Sequence, residues 1–334
     1  MASYLSYYAF VFLSFFFLSV SNAQPSSSSR PGGLVFPVSK DPSTLQFVTK
    51  LSLGKVPINV VVDLGRKSSW IYSSAGCAST SISSVVTAQS NDLKNGEWVS
   101  GIAGLGRSSL SLASQFSAAF RFPQKFALDL GAGEGSIYFG DGPYTNQNFR
   151  QSLAYTPLLT NSYFPSDYFI DVKSIDVDGS NVTLKTGLLS INKSNGVGGT
   201  KNSTLVAYTT METSIYKAFT SAYVMAAKAR GISTVAPVAP FGACFNASTI
   251  ESRPDGVVVP YISLRMANNV NWAFARSGSN PFEFVKDNVY CLPYVDGGLK
   301  PKTSIVIGGY QMRLSILEFD ISRSRVGYSP PIQV

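Results

Sequence analysis

The sequence predicts a mostly-β chain folded as two similar lobes that face one another. Three observations carry that prediction. Short runs of alternating apolar and polar residues recur along the chain, each closed by glycine or proline, as strands and turns require. Two stretches, 111–120 and 213–230, place apolar residues at helical spacing. An echo also joins the halves: an apolar strand (residues 59–63, then residues 204–208) is followed much later by an apolar-glycine segment, at 101–106 and at 305–309.

Taken in order, residues 8–20 form a short apolar run, and Ser21-Asn22-Ala23 places small residues where a signal peptidase cuts, so 1–23 is expected to be a secretory signal peptide. Neither this run nor any later segment is long enough to suggest a membrane span. Residues 24–32 read as a serine-rich linker. From 33 to 70 strands alternate with turns, and Val60-Val61-Val62-Asp63-Leu64-Gly65 is a β-branched run ending in a tight turn that holds one carboxylate at its tip. Residues 73–96 are polar and weakly patterned. Gly101-Ile102-Ala103-Gly104-Leu105-Gly106 has the wrong spacing for a phosphate loop and no Lys-Ser/Thr after it; it reads as a close backbone approach. Leu112, Phe116 and Phe120 give the first helix its apolar side. Residues 136–142, 153–159 and 168–172 read as strands, the last two crossing between the halves. Thr213 is placed to cap the second helix and Gly231 to close it, with Ile215, Phe219, Ala222 and Met225 or Ala226 facing the core. Strands dominate again from 257 to 326.

Composition narrows the function. A hydrophobic share of 45% over 334 residues excludes a disordered or fibrous chain. The net charge is +8, but Lys and Arg are scattered, which excludes a nucleic-acid footprint and favours acidic polysaccharide or acidic proteins as partners. There are no histidines, so Ser-His-Asp and Cys-His catalysis and His-ligated metal sites are excluded; no cofactor or metal is expected. Secretion makes the acceptor sequences at Asn181, Asn192, Asn202 and Asn246 candidate N-glycosylation sites. It also makes a pair among Cys77, Cys244 and Cys291 expected, with one thiol left over; the residues leave the pairing open.

Asp63-x-Gly65 with Trp70 beyond it, and the segments 101–106 and 304–309, resemble the pepsin-like aspartic protease superfamily (peptidase A1 fold). Gly196-Val197-Gly198-Gly199-Thr200-Lys201, Ser214-Ile215-Tyr216-Lys217-Ala218-Phe219, Val295-Asp296-Gly297-Gly298 and Ser324-Arg325-Val326-Gly327-Tyr328 resemble its plant branch of xylanase and xyloglucan-endoglucanase inhibitors, dermal glycoproteins and basic globulins. The resemblance implies a bilobal pepsin-like fold with an N-terminal lobe at 33–155 and a C-terminal lobe at 156–334. It also implies a Cys244–Cys291 disulfide. The first lobe is expected to be shortened, because only about thirty residues, with the single Cys77, stand between Trp70 and Gly101 where relatives carry a longer segment and the flap.

Catalysis in that superfamily needs two carboxylates about 3 Å apart sharing one proton. Here the first loop keeps Asp63 but carries Leu64 and Arg66, and Ala207 is expected where the second aspartate belongs. Asp63 beside Arg66 is then expected to stay ionised with a lowered pKa, as a turn residue bonding its own backbone. The resemblance therefore implies a secreted, non-catalytic cell-wall protein that inhibits a microbial glycoside hydrolase, with Arg253 in a turn-rich loop as the candidate contact. The alternatives are an aspartic endopeptidase, which requires another carboxylate near Asp63, and a storage or peptide-binding wall protein.

Overall fold

The computed structural model describes residues 31–71 and 101–332, apart from 54–55, 132, 143, 145–146, 255 and 276–280. The expected signal peptide at 1–23, the linker residues 24–30, and Cys77 with the rest of 72–100 lie outside the described residues. Among the described residues the chain is organised by one fifteen-stranded sheet, with two four-stranded sheets and one two-stranded sheet beside it. The architecture is mostly β, as the sequence predicts.

In the first half the strands Gly33–Lys40, Phe47–Leu53 and Val56–Asp63 form an antiparallel meander. Val56–Asp63 then runs parallel to Gly101–Gly104, which pairs antiparallel with Trp70–Ile71. The second half repeats this motif: Thr200–Asn202 runs parallel to Ile305–Ile307, and Thr209–Met211 is antiparallel to the same strand. The echo is therefore real, but its second copy begins earlier than the apolar pattern suggested. Its strand is 200–202, not 204–208. Thr200 and Asn202 are 0% and 2% exposed, whereas Leu205 is 40% exposed on the loop beyond, so the polar residues are inside and the apolar one is out.

The segment 101–106 is the close approach its glycines suggested, and 305–309 proves to be a second one. A Cβ on Gly104 would fall 2.6 Å from the Ser68 carbonyl oxygen, and one on Gly308 would fall 2.8 Å from the Tyr208 carbonyl oxygen. Only a residue without a side chain fits there.

The C-terminal hairpin closes the sheet. Leu317–Asp320 pairs with Lys125–Asp129 of the first half, and Arg325–Tyr328 pairs with Ala154–Leu159. Phe319 brings the halves together: its ring stacks on Phe126 at 5.0 Å and meets Tyr168 at 4.6 Å. The helix Leu112–Phe120 is capped by Ser111 and lays Phe116 against Phe36 and Phe139. The helix Thr213–Ala229 is capped by Glu212, not Thr213: the Glu212 carboxylate accepts from the Ser214 and Ile215 amides at 2.8 and 3.2 Å. The Thr213 hydroxyl donates instead to Asp296 at 2.6 Å. Ile215, Phe219, Tyr223 and Ala227 form the buried stripe of this helix, while Met225 faces outward at 66% exposure. Cys244 and Cys291 are bonded to each other across paired strands.

Replacing Phe319 by alanine opens a cavity between two packed rings at a residue that is fully buried. The expected loss is about 3–5 kcal/mol in the free energy of unfolding, measured by denaturant titration.

Candidate functional site

The site begins with Val60, Val61 and Val62, all 0% exposed, which carry the chain into Asp63 at the end of its strand. The turn is tight because the Asp63 carboxylate accepts the Gly65 amide at 2.8 Å, and Arg66 Nε lies 3.9 Å from its other oxygen. The carboxyl is nearly sealed, at 6% residue exposure. Burial consequently pushes its pKa above the ordinary 3.8, against the opposing pull of the Gly65 amide and Arg66. This reverses the expectation of a lowered pKa: the guanidinium is too distant and too exposed, with 39% of its side chain accessible, to offset the loss of water around the carboxylate.

Backbone register identifies what stands opposite Asp63. Val61 pairs with Ile102 as Lys201 pairs with Val306, and Trp70 pairs with Ile102 as Thr210 pairs with Val306. The Ser69 hydroxyl accepts the Gly104 amide at 3.0 Å, and the Thr209 hydroxyl accepts the Gly308 amide at 3.1 Å. Counting from these pairs, Ser203 is the counterpart of Asp63 and Thr204 is the counterpart of Leu64. Ala207, expected at the second aspartate's place, lies four residues further on, where its carbonyl accepts the Tyr310 amide at 2.9 Å. The misplacement follows from the polar strand 200–202, which hydrophobic pattern does not reveal.

Thr204 reaches across to the first half. Its hydroxyl accepts the Leu64 amide at 3.1 Å and donates to the Val62 carbonyl at 2.6 Å. The reciprocal pair of bonds is lost, since Leu64 has no hydroxyl and is buried in the core at 0% exposure.

A cleft of ≈ 350 Å³ opens over this junction, lined by Asp63, Gly65, Arg66, Asp167, Lys201 and Ser203 among others. Asp167 and Lys201 were not legible as site residues. A Cβ built on Gly65 would lie 2.8 Å from Asp167 Oδ1 and 3.6 Å from Asp63 Oδ1, so both carboxylates border one small space. Lys201 Nζ donates to Asp167 Oδ2 at 2.7 Å. The cleft thus holds two acid–base pairs, Asp63 with Arg66 and Asp167 with Lys201. Such a set can receive a polar group, and the lysine already engages one oxygen of the second carboxylate. Among the described residues no cluster of three metal-ligating side chains occurs.

The other candidates lie outside this cleft. Arg253 stands on the hairpin formed by Ser252–Arg253 and Gly256–Val257, 54% of its side chain exposed, with Nε donating to Glu251 at 2.7 Å. Asn181 and Asn192 are exposed, and Asn246 is half-buried and caps a short helical turn through Ser248. Asn202 is 2% exposed inside the sheet, and Thr204 of its acceptor sequence is the residue that grips the opposite loop. A glycan cannot be accommodated on Asn202 in this fold.

Comparison with known proteins places these features. Residues 167–330 match the model of the xylanase inhibitor C-terminal family, and residues 73–141 match that of the xylanase inhibitor N-terminal family. The chain is 36% identical to "Probable aspartic proteinase GIP2" of Nicotiana benthamiana, covering 99% of this chain and 96% of that protein. That alignment runs over 428 residues against a chain of 334, so the relative carries stretches with no counterpart here. "Gamma conglutin 1" of Prunus dulcis is 38% identical over 72% of this chain and 56% of its own length. The crystal structure of edgp superposes with a TM-score of 0.82 at 36% identity, covering 90% of this chain and 95% of that one.

Two predictions follow from the geometry. Thr204→Val removes both cross-loop bonds and strands a buried amide and a buried carbonyl; the expected loss is about 2–4 kcal/mol of stability in urea titration. Because the folded Asp63 pKa is raised, the folded chain holds its proton more tightly than the unfolded chain, and stability declines as pH rises through that interval. Asp63→Asn keeps an acceptor for the Gly65 amide and abolishes this decline. The variant's stability relative to the native chain should rise as pH rises through and above the ordinary carboxylate value of about 4. A gain that shrinks with rising pH would contradict the burial argument.

Proposed function

We infer a role from the premise that this chain belongs to the xylanase-inhibitor family of pepsin-like proteins. It is proposed to be a secreted, non-catalytic protein that binds and inhibits a microbial cell-wall-degrading glycoside hydrolase. The observation that carries the non-catalytic part is Ser203 opposite Asp63: a hydroxyl there neither holds nor shares the carboxyl proton that peptide hydrolysis needs. Support for the partner class comes from the family's own description, from the net charge of +8, and from an exposed arginine on a short hairpin.

Glycoside hydrolases of this kind work with two carboxylates flanking the scissile bond. An arginine fork pairs with such acids through two parallel, charge-assisted hydrogen bonds. Arg253 has the exposure for that contact, and Glu251 steadies its Nε edge. In this role the wall polysaccharide, where acidic, is a secondary partner drawn by the positive charge.

A second reading, an aspartic endopeptidase, draws on one observation: Asp167 does approach the space beside Asp63. Lys201 weighs against it by occupying that carboxylate.

The deciding experiment titrates the full secreted chain against a panel of fungal xylanases and xyloglucanases, with residual hydrolase activity as the readout. Stoichiometric loss of activity for at least one enzyme is expected, and Arg253→Ala should weaken inhibition about tenfold or more, the cost of one desolvated charge pair. No inhibition by a folded chain across the panel would overturn the inhibitor reading. Acid proteolysis that is blocked by a transition-state analogue and lost in Asp63→Asn would establish the endopeptidase instead.

A further inference from the structure

We propose that Asn192 carries an N-linked glycan whose first N-acetylglucosamine packs on the exposed ring of Tyr163. The inference rests on the secretory reading above and adds which acceptor is used and what covers it.

The acceptor lies in a turn held from several sides. The Gly196 amide donates to the Asn192 carbonyl at 2.7 Å, and the Asn192 amide donates to the Val197 carbonyl at 2.8 Å. Asn161 Nδ2 donates to the Gly196 carbonyl at 2.8 Å, and the Gly198 amide donates to the Lys302 carbonyl at 2.9 Å. Within the turn, Asn192 Oδ1 accepts from the Ser194 amide at 2.9 Å and from the Ser194 hydroxyl at 2.7 Å. The oxygen is therefore committed to the acceptor sequence's own hydroxyl, while Asn192 Nδ2, the atom to be modified, donates no hydrogen bond among the described residues.

Tyr163 lies along this same turn. A Cβ on Gly196 would sit 2.6 Å from Tyr163 Cβ, and the Tyr163 hydroxyl donates to the Ser194 carbonyl, so the ring spans the turn from Gly196 to Ser194. It is 54% exposed, and Val197 beside it is 42% exposed. An aromatic face left in water favours the apolar C–H face of a pyranose. A sugar tethered at Asn192 reaches that ring at high effective concentration, with little further entropy to lose. The attachment balances without a redox partner. The Nδ2–C1 bond forms as the C1–O bond to a lipid-pyrophosphate donor breaks, the pyrophosphate leaves with the electron pair, and the amide releases one proton.

The test secretes the full chain from a plant host and reads each acceptor by glycopeptide mass spectrometry. Asn192 is expected to be modified and Asn202 bare. In a background carrying Asn181→Gln and Asn246→Gln, a peptide N-glycanase then removes the remaining glycan. It leaves an aspartate at 192 that still accepts from Ser194. Removal should lower Tm by about 2 °C in the Tyr163 and Tyr163→Phe chains and leave Tyr163→Ala unchanged. A secreted chain modified at Asn181 but bare at Asn192 overturns the site. Equal Tm losses with and without the ring overturn the packing. A chain retained in the cell with no acceptor modified overturns the secretory reading and this proposal with it.

Discussion

The rest of the structure hangs on one hydroxyl. Thr204 Oγ1 joins Leu64 and Val62 across sequence separations of 140 and 142 residues, and both backbone groups it serves are buried. A buried amide or carbonyl with no partner costs about 1–3 kcal/mol, so the two loops must meet at this atom for either turn to be tolerated. That meeting brings Asp63 and Ser203 to the lining of one cleft. A second tie runs through the C-terminal strand. Glu318, 1% exposed, accepts from Tyr144 at 3.1 Å and from Tyr155 at 2.6 Å and lies 3.8 Å from Lys125 Nζ. A carboxylate that deep is tolerable only with such partners.

The junction is one-sided, and the asymmetry explains the chemistry. Leu64 exchanges a cross-loop hydroxyl for full burial in the first half's core, where its side chain is worth about 1.5–3 kcal/mol of transfer free energy. The opposite loop carries Thr204, with Ser203 at the position that matches Asp63. Each half thus keeps a group that holds the fold, Thr204 across the junction and Asp63 within its own turn. Asp63 survives as the acceptor that closes its own turn through Gly65.

Much of this was legible in the residues, and the exceptions have physical causes. The run Val60–Val62 into Asp63, the glycine approach at 101–106 and the helix after Ser111 follow from local rules of burial, sterics and apolar spacing. Ser203 was missed because its strand, Thr200–Asn202, is polar in sequence and buried in fact: sheet pairing, not hydrophobic pattern, decides its place. Glu212 displaced Thr213 as the helix cap because Asp296, distant in sequence, claims the Thr213 hydroxyl. Asp167 precedes the apolar strand Tyr168–Ile170, and nothing nearby marks it as reaching the first half's turn. Contacts set by tertiary register leave no local trace.

The charges in the cleft bear on how a partner would approach. Asp63 with Arg66 and Asp167 with Lys201 are formally balanced, so the chain's net +8 resides outside the cleft. Steering of an acidic protein depends on field beyond about one Debye length, ~8–10 Å at ordinary ionic strength, and paired charges cancel over that range. In the proposed role the encounter is therefore driven by the outer surface, where Arg253 stands exposed on its hairpin, and not by the cleft. The cleft lies over the junction at which Thr204 joins the halves.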